Sequence, residues 1–464
     1  MNRMEFVGRE DPVRKLRAWL LGDGLKSPLS IVSISGPGGI GKTWLLKHVM
    51  DNTNLSPRNY LTLKLTGGGD GLRNLGQVVC YDLIQSCSQL DSVGKSYFNQ
   101  TRKNLRALCW IDAQAQSEVL KAVGHDTELR KMVHDFFRAG AGLQDTLPFL
   151  KKRVDLSKMK KEQIDGLVGL LERTKAYCQE TRWLGGTLPD LLGAGRRNRL
   201  RAKLETTLAA DLYADLSVIL LSGPRKRYRL SDIPKPMPSK VAGLDRLLLI
   251  IDDYESLQET LNSFLVGNLV PLLAQAKFET LILILGRDKL SSTHSDWKQQ
   301  HESVLVDELK LTELSREEAE QYVRSRGIVD DSTVCRILEE TEGYPYLLAG
   351  EVADELDGGR SALHLKGFYD RQTRWMTSVQ KVWLDPLCFL DEINEETVYA
   401  MLPEEEPGQI VKWFEGEASI RNPRSKKWQV LRIIRSRICE YIKNESPKRF
   451  RELQERARLA CENA

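Results

Sequence analysis

A glycine-rich octapeptide near the start of the chain carries the strongest chemical signal in the sequence. It fits the pattern GxxxxGK[ST], and its residues are Gly36, Pro37, Gly38, Gly39, Ile40, Gly41, Lys42 and Thr43. An apolar, β-branched run (29–35) precedes it, and a helical pattern (42–50) follows it. Glycines let backbone N–H groups curl around a phosphate chain, and the helix N-terminus adds partial positive charge. We therefore predict a phosphate-binding loop for ATP or ADP, in which Lys42 reaches the β-phosphate and, in ATP, also the γ-phosphate, while Thr43 ligates Mg²⁺.

Carboxylates follow a second apolar run, 247–251. A nucleoside triphosphate needs an acid at the end of a neighbouring buried strand to hold the water shell of its metal. Asp252 fits that position, and Asp253 or Glu255 could polarise an attacking water. The alternative is a pair of exposed acids that end a strand in a turn. Because the phosphate loop is present, we favour the catalytic interpretation, with Asp252 on the metal side.

Arg287 directly follows another apolar run, 280–285. A cation at that edge of a sheet could touch the γ-phosphate and respond to its loss, which makes Arg287 a candidate catalytic residue. The alternative is a solvated loop arginine that pairs with Asp288.

Strands and helices in alternation must position these residues. Four runs are predicted as strands: 29–35, 60–65, 247–251 and 280–285. Continuous apolar runs are typical of strands that are covered on both faces of a parallel sheet. The predicted fold class is therefore α/β, a P-loop NTPase parallel sheet with right-handed crossovers. Between the second and third runs, near-continuous helical periodicity predicts an insertion that adds no strand to the centre of the sheet.

Four short motifs together resemble the STAND class of P-loop ATPases, which are AAA+-related signal-transduction ATPases. They are Phe6-Val7-Gly8-Arg9-Glu10, Ile251-Asp252-Asp253-Tyr254, Gly286-Arg287 and Gly343-Tyr344-Pro345. The resemblance covers residues 1–90 and 240–464. It implies a nucleotide-binding domain, a helical lid and a winged helix that act as an ATP/ADP-controlled oligomerising switch. It also implies that Val7 and Arg9 lie near the base and that Pro345 presses on the adenine from the lid.

One position departs from that class. Its members often carry a Met-His-Asp triplet in the winged helix, whose histidine touches the ADP phosphate in the resting state. The segment 430–435 aligns with the triplet, and Leu431 occupies the histidine position. We therefore expect a weak ADP lock, unless Arg432 or Arg435 replaces the histidine.

Pattern and resemblance together predict four regions. The P-loop nucleotide-binding domain takes 1–90 and 241–305, the mainly helical insertion 91–240, the helical lid 306–375, and the winged-helix domain with its basic C-terminal tail 376–464.

Composition limits the class of protein. The 464 residues are 41% hydrophobic and 28% charged, as in an ordinary globular protein of roughly three domains. A net charge of +4 is too small for bulk attraction to nucleic acid. We see no apolar run of the ~20 residues that a membrane span needs, no secretory signal in residues 1–10, and no CxxC or His/Cys ligand spacing among eight cysteines and six histidines. We expect a cytoplasmic protein without disulfides, zinc or a membrane partner.

Three functions remain open at this level. The first is a signalling switch that binds and slowly hydrolyses ATP, giving ADP and phosphate, oligomerises when ATP-bound, and controls a partner protein in prokaryotic defence or regulation. The second is an initiator- or loader-type AAA+ ATPase that binds DNA through its winged helix. The third is a nucleotide-binding scaffold with negligible hydrolysis.

The second function depends on the basic tail. Residues 421–464 contain 13 Lys and Arg against 5 Asp and Glu, a net of about +8, whereas 391–417 is acidic. A basic face could grip DNA phosphates in a salt-dependent manner. Alternatively, the two stretches pair with each other, within one chain or between subunits.

Overall fold

The structure is a computed structural model, and it describes residues 7–55, 59–67, 83–84, 98, 101, 194–221, 244–293, 297, 303–358, 363–422 and 425–463. Most of the predicted insertion lies outside these ranges. The strands are β1 (Leu29–Ser35), β2 (Tyr60–Thr66), β3 (Arg246–Asp252), β4 (Glu279–Gly286) and β5 (Leu305–Lys310). The helices are α1 (Glu10–Leu21), α2 (Lys42–Asp51), α3 (Ala194–Leu221), α4 (Tyr254–Phe264, continued by a π-helical turn, Leu265–Leu269), α5 (Val270–Leu273), α6 (Leu290–Thr293), α7 (Arg316–Ser325), α8 (Asp331–Thr341), α9 (Pro345–Asp357), α10 (Leu363–Thr373), α11 (Ser378–Leu387), α12 (Glu395–Met401), α13 (Pro407–Gly416), α14 (Arg432–Glu445) and α15 (Pro447–Asn463).

The five strands form one parallel sheet in the order β2-β3-β4-β1-β5. Strand β4 therefore lies between β1, which leads into the phosphate loop, and β3, which leads into the predicted acids. All residues of β1 are buried, and so are all those of β3 after Arg246. The α/β class and the parallel P-loop NTPase sheet are confirmed.

Strand β5 was not predicted from the sequence, and it takes the first residues of the region predicted as the helical lid, 306–375. The strand occupies the edge of the sheet beside β1, and its residues are half-buried except for the exposed Lys310. An edge strand needs no continuous apolar run, which is the signal that identified its neighbours. The sheet consequently reaches residue 310, beyond the predicted domain end at 305, and the first helix after it begins at Arg316.

Two hydrophobic cores cover the sheet, one on each face. Alternate residues of β1 supply both: Val32 and Ile34 pack with α1, α2 and the C-terminal helices, whereas Leu29 and Ile31 pack with α3 and α4. This alternation follows from the two-residue period of a strand. Because both faces are covered, the strand sequences are apolar throughout.

Helix α3 is the longest described part of the predicted insertion. It packs on the second core through Leu208, Leu212 and Leu216, and every strand of the described sheet comes from outside 91–240. Among the residues that the structure describes, no helix combines the length and the apolar character needed to cross a bilayer.

Two further regions follow the sheet. The residues predicted as the helical lid, 306–375, contain helices α7 to α10 and are called the lid region. Ser315 and Glu318 make a capping box at the start of α7. Helices α11 to α15 form the C-terminal region, where a short hairpin pairs Arg421 with Val430 between α13 and α14. Three helices followed by a hairpin are the order that a winged helix requires, and the winged-helix assignment itself stays a prediction.

Candidate nucleotide site

The phosphate loop joins β1 directly to α2, and its glycines are required by its shape. Gly41 has a φ of 97°, in the left-handed region that favours glycine, and a Cβ added to Gly36 would lie 2.8 Å from the carbonyl oxygen of Leu311. Gly41 is also the N-cap of α2 and offers no side chain to the first N–H groups of that helix. These N–H groups and the helix dipole suit an anion.

Lys42 is buried against its own loop. Its Nζ donates to the carbonyl oxygens of Gly36 at 2.6 Å and Pro37 at 3.2 Å. Burial lowers the pKa of Lys42, and the charges of Glu255 and Asp253 oppose that change. The lysine and the predicted catalytic acids therefore lie in one electrostatic cluster.

Thr43 and Asp252 meet across the site. The Thr43 hydroxyl donates to the two carboxylate oxygens of Asp252 at 3.0 and 3.2 Å, although 209 residues separate them in sequence. Asp252 is only 1% exposed, and its Oδ1 also accepts from the backbone N–H of Asp253. A hydroxyl and a carboxylate are oxygen ligands of the kind that Mg²⁺ prefers. The residues predicted for the metal are thus side by side.

This pair gives a prediction for Thr43→Val, which keeps the shape of the side chain and removes the hydroxyl. Losing even an outer-shell partner of a metal site costs about 10- to 100-fold in metal affinity. We expect the Mg²⁺ concentration that half-saturates nucleotide binding to rise at least about tenfold. Titration of Mg²⁺ with a fluorescent ATP analogue measures this midpoint, with binding in excess chelator as the control. An unchanged midpoint would remove Thr43 from the metal site.

Asp253 is held by the lid region. It adopts a left-handed conformation with φ 56° as the N-cap of α4, and its carboxylate forms an ion pair with Arg374. Burial raises the pKa of Asp253 to about 6, Arg374 opposes this rise, and the neighbouring charge of Glu255 adds to it. A carboxylate with a raised pKa is suited to exchange protons near neutral pH.

Glu255 lies in the same cluster, with its Oε1 3.9 Å from the Arg374 guanidinium. Its other oxygen is one of ten buried side-chain atoms in the described residues that have no hydrogen-bond partner. Five of the ten belong to residues that adjoin or contact the phosphate loop or the charged groups beside it: Arg9 Nη1, Ser35 Oγ, Glu255 Oε2, Gln372 Oε1 and Trp375 Nε1. Buried polar atoms are normally paired, so this concentration of unmet donors and acceptors fits a site for a polar ligand.

Arg287 is engaged by the C-terminal region. Its Nη2 lies 2.5 Å from the Glu417 carboxylate, and its Nε donates to the Ser419 hydroxyl at 2.8 Å. The guanidinium also stacks on the Trp375 ring, 3.4 Å from its centroid. The ion-pair partner of Arg287 is therefore Glu417, not the Asp288 of the alternative interpretation.

The residues predicted near the base lie where the first segment meets the loop and the lid region. Arg9 donates to the carbonyl oxygens of Ile40 at 2.6 Å and Thr312 at 2.9 Å, and its backbone N–H donates to Glu318 at 2.6 Å. Val7 is half-buried two residues earlier.

Pro345 is the first residue of α9, between two tyrosines that touch the loop. The Tyr344 hydroxyl donates to the carbonyl oxygen of Gly38, and a Cβ on Gly39 would lie 3.0 Å from the Cβ of Tyr346. The motif that contains Pro345 is therefore placed on the phosphate loop.

Arg432 and Arg435 make all their described contacts elsewhere. Arg432 is exposed and donates to Glu342 at 2.6 and 2.9 Å, and Arg435 pairs with Asp391 at 2.6 Å. The structure gives neither arginine a contact with the phosphate loop. That one of them takes the place of the family's histidine stays a prediction.

Sequence reasoning missed several residues that touch the predicted site: Tyr344 and Gln372 on Gly38, Arg374 on Asp253, and Glu417, Ser419 and Trp375 on Arg287. Only Tyr344 belongs to a motif that the sequence analysis used. The others lie far from the loop in sequence, so no local spacing marks them.

The acidic and basic stretches pair within the chain. Lys427 lies 2.5 Å from Glu392, and Arg435 pairs with Asp391. Helix α13 precedes the hairpin and has no excess of basic residues that could bind phosphates. It carries one lysine and one glutamate, and it follows the acids 404–406. The contacts of Lys427 and Arg435 are two examples of intramolecular pairing, and binding of DNA stays a prediction.

Solved structures similar to this chain include two proteins from Pyrococcus species. No family model matches the chain, and no curated protein shows significant similarity to it. Among solved structures, a STAND protein with a tetratricopeptide repeat sensor from Pyrococcus horikoshii is 14% identical with a TM-score of 0.30, aligned over 97% of this chain and 44% of its own. A Walker-type ATPase of Pyrococcus abyssi is 10% identical with a TM-score of 0.45, and the alignment covers 94% of this chain and 97% of that ATPase.

The chain thus spans less than half the length of the first neighbour. That neighbour is named for the class that the sequence motifs resemble. The fold assignment for this chain rests on its own phosphate loop and strand order.

Proposed function

We propose that this protein binds ATP–Mg²⁺ at the phosphate loop, hydrolyses it slowly, and uses the nucleotide state as a switch. One observation carries the proposal: the Thr43 hydroxyl and the buried Asp252 carboxylate meet at the N-terminus of α2, beside Lys42. A hydroxyl, a carboxylate and an ammonium group at one helix N-terminus match the needs of a metal-bound triphosphate.

The residues divide the chemistry among them. Thr43 and Asp252 would hold Mg²⁺, which would neutralise charge on the phosphates. Lys42 now donates to two neutral carbonyls, and phosphate oxygens would offer it stronger, charge-assisted bonds. Asp253, with Glu255 as the second candidate, would orient and deprotonate the attacking water, and Arg287 would stabilise the γ-phosphate.

Slow turnover follows from the partners of these groups. Asp253 is paired with Arg374, and Arg287 with Glu417, so both must exchange partners before they can act on a phosphate. A switch needs a second element that favours one nucleotide state. The lid and C-terminal regions, which supply those partners, are the elements proposed to move.

The proposed switch predicts that nucleotide sets the assembly state. With ATP or a non-hydrolysable analogue, Arg287 would leave Glu417 for the γ-phosphate, and the C-terminal region would open and expose a surface for self-assembly. We expect light scattering at low salt to show a larger mass with ATP than with ADP, and Arg287→Ala to remove this difference between nucleotides.

Nucleotide binding by the same samples is the control. A single monomer mass in all nucleotide states, with binding intact, would reject the switch and leave a nucleotide-binding scaffold. Affinity purification with and without ATP then tests for the proposed partner protein.

A further inference from the structure

A five-residue segment, 371–375, contacts each of the three elements that carry the proposed site. We call it the strap. It includes the end of α10 and the start of the turn to α11. Its contacts reach the phosphate loop, the residue after β3, and the residue after β4.

The first contact is with the phosphate loop. The Gln372 side-chain amide donates to the carbonyl oxygen of Gly38 at 2.7 Å, and a Cβ on Gly38 would lie 2.5 Å from the carbonyl oxygen of Arg371. Only a glycine at position 38 lets the strap approach this closely. The loop that would bind phosphate therefore also fits the strap.

The second and third contacts are made by consecutive residues. Arg374 pairs with Asp253 and lies 3.9 Å from Glu255, and Trp375 stacks on Arg287 at 3.4 Å. Glu417 binds the same guanidinium. Two neighbouring strap residues thus engage the carboxylate and the arginine that hydrolysis would require.

We propose that the strap is a latch that keeps Asp253 and Arg287 in an inactive arrangement, and that hydrolysis requires its withdrawal from both. This inference rests on the proposed function and deepens it by naming a device that regulates the same site. An aspartate bonded to a guanidinium accepts a proton less readily from water, because the proton must displace that cation. An arginine that is bonded to a glutamate and stacked on an indole is likewise held away from phosphate.

The geometry also gives the latch a way to open. Arg374 is 35% exposed, so it can leave Asp253 toward solvent. Thr377 and Gln380 form a capping box that fixes the start of α11 just after the strap. Movement of the C-terminal region would therefore withdraw Arg374 and Trp375 together.

The strap is also incompletely bonded where it lies. Gln372 Oε1 and Trp375 Nε1 are buried without a hydrogen-bond partner, and each such atom carries a desolvation cost. A segment selected only to hold the fold together would be expected to satisfy these atoms. This cost makes the bound position of the strap less favourable and so reduces the free energy needed to withdraw it.

The test compares Arg374→Ala and Trp375→Ala with a matched control. Arg324 is a lid arginine of similar exposure, 39%, whose ion pairs are with Glu320 at 2.8 Å and Asp331 at 2.6 Å, away from the strap. ATP turnover at saturating ATP–Mg²⁺ and the release rate of a fluorescent ADP analogue are measured for all three. We expect both rates to rise about fivefold or more in each strap variant, the lower end of typical coupling between sites, and to stay at the parent value in Arg324→Ala.

The double variant adds a second criterion. Because both residues belong to one latch, its effect should be smaller than the product of the single effects. If Arg374→Ala does not fold, as judged by its thermal transition, Arg374→Gln replaces it, since the amide keeps most of the side-chain volume without the charge.

Three outcomes would overturn the latch and leave the proposed function intact: parent rates in strap variants that bind ATP normally, a fall in turnover with binding unchanged, or an equal rise in Arg324→Ala. The proposed function fails by a different result, namely unchanged ATP binding in Lys42→Ala.

Discussion

Replacing Lys42 by alanine is expected to lower the affinity for ATP–Mg²⁺ by at least about a hundredfold. Lys42 is the buried cation of the phosphate loop, and its Nζ donates to two carbonyl oxygens of that loop. The amine therefore lies where the phosphates of a bound nucleotide would come within its reach. A hydrogen bond to a charged group contributes about 1.5–3 kcal/mol. Two such bonds, to the β- and γ-phosphates, amount to roughly two to four orders of magnitude in the dissociation constant.

Lys47→Ala is the matched control for that experiment. Lys47 is on the same helix but exposed, with its Nζ 5.7 Å from the Trp44 ring centroid. Both variants remove one positive charge from α2, so a general electrostatic effect would lower affinity in both. Titration calorimetry with ATP–Mg²⁺ should give the Lys47 variant an affinity close to the parent value. If Lys42→Ala binds as tightly as the parent, the phosphate loop is not the nucleotide site.

A thermal melt of each variant separates binding from folding. Alanine at position 42 removes an amine that bonds the Gly36 and Pro37 carbonyls, so Lys42→Ala should be slightly less stable than the parent without nucleotide. The informative quantity is the stabilisation on adding ATP–Mg²⁺, which a binding-competent chain gains by mass action. We expect this gain in Lys47→Ala and not in Lys42→Ala.

The central strands were predictable because their environment is uniform. Strands β1, β3 and β4 have both faces buried, so nearly all of their residues are apolar or small. In β3, for example, Leu247 to Ile251 form an unbroken apolar run. The loop was predictable for a different reason, since the backbone at Gly41 adopts a positive φ. Strand β5 was not predicted, because an edge position in the sheet allows the charged residues Asp307 and Glu308 in the middle of the strand.

The partners of the site could not be predicted, because they depend on how separate regions pack. Arg374 belongs to no motif, and neither does Trp375, whose ring carries the Arg287 guanidinium. Alignment with a family triplet placed Arg432 at the start of α14, but alignment along a sequence does not determine which way a side chain faces. Arg432 is 80% exposed and bonded to Glu342.

Replacing Asp253 by asparagine is expected to leave ATP–Mg²⁺ binding near the parent value and to lower turnover by about a hundredfold or more. General-base catalysis contributes about 10²–10⁴ to a rate, and asparagine keeps the shape of the side chain but cannot accept the proton. Glu255→Gln is the matched variant, because its carboxylate is the other candidate in the same cluster and also lies near Arg374. We expect the larger loss in Asp253→Asn; the reverse order would assign the base to Glu255.

The pH dependence of turnover gives the same assignment a second measurement. Burial raises the pKa of Asp253 from 3.8 to about 6. Only the ionised carboxylate can take a proton from water, so turnover should fall as the pH drops through about 6, and the residual turnover of Asp253→Asn should lack that fall.

The stability of the fold should change in the opposite sense. The pKa of Asp253 is higher in the folded chain, about 6, than in the unfolded chain, 3.8. Between these two pH values the folded chain therefore binds more protons than the unfolded chain. The contribution of Asp253 to the free energy of unfolding consequently becomes more favourable as the pH falls. A loss of turnover near pH 6 with no loss of thermal stability would therefore trace the effect to the protonation of Asp253 and not to unfolding.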